Sequence, residues 1–90
     1  MCRNIKQLFN FDPPATTDEV HASSLQFVRK LSGMNKPSKQ NEEVFNLAVE
    51  RVSAAAQEML NSLVTGAPPK DREIEAAKAK ERSAVRHGRA

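Results

Sequence analysis

From Phe45 to Leu63 apolar side chains recur at helical spacing: Phe45, Ala48, Val49, Val52, Ala55, Ala56, Met59, Leu60 and Leu63 share one broad face. Asn46, Glu50, Ser53, Gln57 and Asn61 face away. A stripe this wide has to be covered, and a chain of 90 residues has few elements with which to cover it. The spacing predicts a helix that opens at Ser38 as N-cap, with Glu42 and Glu43 near the positive end of its dipole. Gly66 and Pro68-Pro69 end it near Val64, giving a length of about 39 Å.

A second amphipathic stretch, "TTDEVHASSLQFVRKLSGM", precedes it. Thr16 and Glu19 have capping-box spacing, and Gly33 is placed for the left-handed conformation that stops a helix. Val20, Ser24, Phe27, Val28, Leu31 and Met34 share its apolar face. His21, one turn after Asp18, lies on the flank, where a surface hydrogen bond is expected. A connection as short as "GMNKPS" makes the two helices antiparallel neighbours.

Two helices cannot close a core by themselves. Ile5, Leu8 and Phe9 have i, i+3, i+4 spacing, which predicts a short helix over residues 3–10 lying across the pair. A second copy of the chain is the other possible cover, giving a four-helix bundle, and a homo-oligomer stays open. The expected fold class is therefore all-α: an antiparallel helical hairpin, a short N-terminal helical segment packed across it, and a basic C-terminal helix or tail. The domain division is residues 1–66 as the helical domain and 67–90 as a tail, helical from about Pro69 to Arg86 or partly disordered.

Charge is unevenly divided. Up to residue 65 basic and acidic side chains balance, so the net charge of +3 sits wholly in the last 25 residues. Lys78, Lys80, Arg82, Arg86 and Arg89 form a basic tail that can neutralise phosphates without reading sequence. No aromatic interleaves them, which argues against base stacking. Arg29, Lys30, Lys36, Ser38 and Lys39 surround the expected start of the second helix and form a candidate anion site there.

The single cysteine, Cys2, excludes an internal disulfide. Removal of Met1 would set an α-amine beside its thiol, and Arg3 and Lys6 would favour the thiolate. The alternative is a small apolar residue tucked against the helices. His21 and His87 lie far apart without metal-ligand spacing, so no metal or cofactor is expected. No serine sits in a nucleophile elbow, and "GMNKPSK" lacks the second glycine, the preceding strand and the Gly-Lys-Ser order of a phosphate loop. The absence of a bilayer-spanning apolar run or a signal-peptide pattern predicts a cytoplasmic protein away from the membrane.

"MCRNIK", "FDPPAT", "LQFVRKLSG" and "KPS" followed by Asn41 resemble shared segments of a small bacterial family described only as a domain of unknown function. The resemblance extends from Met1 through "APPKDRE" and implies no activity, cofactor or residue role. From the residues alone, the expected function is a non-catalytic binding module for an anionic partner, either nucleic acid or an acidic protein surface. The alternative is a redox or metal-related role for the Cys2 thiol.

Overall fold

In the computed structural model, which describes residues 5–87 and side chains up to Arg82, the order of elements is β1 (Phe11–Asp12), α1 (Thr17–Ser32), α2 (Glu42–Ser62), β2 (Lys70–Asp71) and α3 (Arg72–His87). Helix dominates, joined by one two-stranded parallel bridge in which Phe11 faces Lys70 and Asp12 faces Asp71.

The start of α1 is set by local chemistry. The Thr16 hydroxyl accepts the Glu19 amide at 3.2 Å, and the Glu19 carboxylate accepts the Thr16 amide at 2.9 Å. At the other end Gly33 adopts φ 72° and donates its amide to the Arg29 carbonyl. Between these caps Val20, Ser24 and Val28 are buried, one turn apart. The Ser24 hydroxyl meets its need by donating to the Val20 carbonyl at 2.8 Å.

Helix α2 starts later than the sequence predicts. Ser38 is spent on a separate turn: its carbonyl accepts the Asn41 amide and its hydroxyl accepts the Asn41 side-chain amide, both at 2.9 Å. The helix then begins at Glu42, with Asn41 as its N-cap residue. Its 21 residues span about 32 Å rather than 39 Å.

The core is small. Val28, near the end of α1, meets Phe45 and Val49, near the start of α2, with Leu25, Met34, Ala48 and Val52 packed against them. Val20, at the other end of α1, lies beside Ser53 and Gln57 and, on its other side, near Ala56 and Leu60. Cover for this second region comes from the N-terminal residues, but not as a helix. Residues 5–8 carry no helix, and Ile5, Leu8 and Phe9 line a hollow with Val20, Met59, Leu60 and Leu63. The expected helical segment is thus corrected to a non-helical one, its residues 3 and 4 lying outside the described region. The physical reason is that so few residues gain too little to nucleate a helix, whereas β1 and the Gln7 side chain find partners on Lys70.

The chain after α2 returns to the same corner. Asn10, at φ 63°, a conformation asparagine tolerates, accepts the Lys70 amide on its carbonyl and donates its side-chain amide to the Pro68 carbonyl. Asp71 caps α3 by accepting the Ile74 amide at 3.0 Å. Arg72 donates through Nε to the Pro13 carbonyl and through both terminal nitrogens to the Glu19 carboxylate, at 3.0 and 2.8 Å. Lys70 and Arg72 also flank the Phe11 ring, each 5.9 Å from its centre. Beyond this root α3 stands away from the other helices. The radius of gyration is 16.0 Å, against about 12 Å for a compact chain of this length. The shortest dimension is 15 Å.

The Arg72 hydrogen bonds, followed by the Thr16 amide, draw the Glu19 carboxyl down from 4.5 to about 2. Because the folded state favours the ionised form, its contribution is complete above pH 4.5 and is lost as pH falls towards 2. Arg72→Ala therefore lowers the thermal midpoint at neutral pH, and the gap from wild type narrows below pH 4.5; a gap that stays constant with acidification contradicts the pairing. Phe45→Ala, at a site 6% exposed, costs about 3–5 kcal/mol in denaturant unfolding, whereas Leu31→Ala, 73% exposed, changes stability by no more than about 0.5 kcal/mol. Equal costs would show that the core has been misplaced.

Candidate functional site

Helical spacing places Phe27 and Leu31 on the apolar face of α1, yet no described residue covers them. Phe27 is 43% exposed and Leu31 73%. Across from them Val44 is 63% exposed. Together with Val28, Phe45, Ala48 and Val52 these residues line an open groove of about 360 Å³ between α1 and α2, closed at the loop end by Ser32, Met34 and Asn41. The hollow beneath Ile5–Phe9 includes Ser23, four residues before Phe27, and Met59, seven after Val52. At these intervals side chains share a helix face, so the N-terminal segment and the open groove occupy one side of the helix pair in succession. Residues 5–9 cover the far half; no described residue covers the near half.

The border of the groove is basic. Lys30 neighbours Phe27 by the i, i+3 relation on α1, and Arg51 neighbours Leu47 and Ala48 by i, i+4 and i, i+3 on α2. Lys36 and Lys39 stand on the loop between the helices. All four are exposed, and none makes a hydrogen bond or ion pair among the described residues. Glu43 and Glu50 lie on the outer side of α2, about 100–120° around the helix from Val44.

The candidate anion residues take distinct places. Arg29 is engaged in the fold, its Nε donating to the Asn35 carbonyl at 2.9 Å and so holding the loop. Ser38 belongs to the turn before α2, and the free amides of the helix start lie instead at two glutamates. Lys30, Lys36 and Lys39 stay at the surface. In the tail, Lys78 pairs with Glu75 at 3.3 Å, while Lys80 and Arg82 are exposed on α3. Arg86 belongs to α3, and its side chain, like Arg89 and Cys2, lies outside the described residues.

Sequence reasoning missed a second hollow. Asp18, His21, Ser53 and Gln57 line it, and the Ser53 hydroxyl and the Gln57 carbonyl oxygen are buried without a hydrogen-bond partner. These are residue types of nucleophilic catalysis, but no hydrogen bond joins serine to histidine or histidine to aspartate, so the expected bond between His21 and Asp18 is not made. Among the described residues no group of three or more His, Cys, Asp or Glu could hold a metal ion, and no helix is long and apolar enough to cross a membrane.

Comparison with curated proteins and with solved structures finds no match. A sequence profile does match, over residues 1–78, which takes in β1, α1, α2, β2 and the root of α3. The chain belongs to the uncharacterised conserved protein family DUF2277.

Proposed function

We propose that this protein is a non-catalytic binding module for an anionic partner, and that the partner is an acidic protein surface rather than nucleic acid. The observation that carries the reading is a basic border, made by Lys30, Lys36, Lys39 and Arg51, around an apolar groove. Unpaired cations at a rim attract carboxylates, and exposed aliphatic side chains beside them give a polypeptide something to bury. A phosphate backbone would use the cations and leave Leu31, Val44 and Val52 idle. In this reading α1 and α2 form an antiparallel helical hairpin that presents the groove, and the basic α3 adds long-range attraction. A redox or metal-related role for Cys2 has no support from any described residue.

Fluorescence anisotropy with labelled poly-glutamate and with a single-stranded oligonucleotide tests this. The expected result is saturable poly-glutamate binding that weakens steeply with salt. Replacing Lys30, Lys36 and Lys39 together by alanine should weaken it about five- to tenfold, the sum of three exposed ion pairs. Binding of the oligonucleotide alone would make nucleic acid the partner. Salt-independent binding, or none, would end the proposal.

A further inference from the structure

We infer that the groove between α1 and α2 receives an amphipathic α-helix of two to three turns, with acidic residues flanking its apolar stripe, from another polypeptide. This rests on the anionic-partner reading and specifies the shape of that partner.

The lining has the form of a helix seat. Val44, Ala48 and Val52 make an i, i+4, i+8 ridge on α2, and Phe27 and Leu31 an i, i+4 ridge on α1. From Val44 to Val52 the valley runs about 12 Å, some two helical turns. Ala48 is small at its midpoint, where an incoming backbone can come close. Phe27, Leu31 and Val44 stay exposed there, so no described residue of the chain fills the valley.

Backbone chemistry selects a helix over a strand. Among the described residues Ser32 and Asn41 alone bring polar side chains to the lining, both at its loop end, where Ser32 bonds to the Arg29 carbonyl and the Met34 amide and Asn41 donates to Ser38. An extended peptide would bring unpaired amides and carbonyls against aliphatic walls, whereas a helix satisfies its own. Charge selects the flanks. Lys30 and Arg51 border the valley on its two sides, and Lys36 and Lys39 belong to the loop that closes its end, so carboxylates beside the stripe find partners. The same charges disfavour a second copy seated by its own groove, because Lys30 and Arg51 would then meet their counterparts.

The test uses the full chain and three synthetic peptides of about 14 residues, or four turns. One carries leucines at i, i+4 and i+7 flanked by glutamates; the second has the glutamates replaced by lysines. The third keeps the composition of the first but breaks the leucine spacing. The first should bind at least about tenfold more tightly than either control and shift the amide resonances of Phe27, Leu31, Val44 and Ala48. Leu31→Gln and Val44→Gln, both at exposed positions, should keep the helical circular dichroism and weaken the first peptide about tenfold. Equal binding of the first and third peptides, with poly-glutamate still bound, would overturn the helix seat while leaving the anionic reading intact. Loss of poly-glutamate binding as well would remove both. A dimer that Leu31→Gln dissociates would assign the groove to a second copy instead.

Discussion

The Glu19 carboxylate is the point on which the arrangement of this chain depends. One oxygen accepts both the Thr16 amide and a terminal nitrogen of Arg72, and the other accepts the second nitrogen. The same group therefore fixes where α1 begins and where α3 is rooted, one residue before the buried Val20. Two charge-assisted bonds from one planar guanidinium set orientation as well as distance. Arg72 extends the junction further by donating to the Pro13 carbonyl, which fixes the path of the turn between β1 and α1.

From this junction follows the uneven cover of the helix pair. With β1 bridged to β2, residues 5–9 are led across the later turns of α2 and the early turns of α1. They reach no described contact with Phe27 or Leu31. The pair has one buried seam, from Val28 through Phe45 to Val49, and beside it one half-covered side. A core this small leaves little to spare, so an apolar face kept in water by such a chain asks for a use.

Local features were legible in the sequence. The capping box of Thr16 and Glu19 and the left-handed Gly33 depend on residues three or four apart, and periodicity found Val20, Val28, Phe45 and Val49. Long-range features were not. Two-residue strands carry no period, and nothing in "FD" announces that its partner lies at Lys70–Asp71. Ile5, Leu8 and Phe9 fit a helical spacing over five residues, a window too short to exclude a non-helical path. Ser38 has the right chemistry for a helix cap, but Asn41 competes for its hydroxyl. For the candidate site, the loop lysines were visible as charges. The groove was not, because periodicity reports which residues share a face and is silent on whether anything rests on it.

One half of this face carries no cover from any described residue, while the adjoining seam is closed. Hydroxyl-radical footprinting of the protein in solution, read by mass spectrometry at single residues, measures that contrast most directly. Phe27 and Leu31 should oxidise rapidly and Phe45, which is 6% exposed, slowly. Protection of Phe27 and Leu31 equal to that of Phe45 would show that this half of the face is covered.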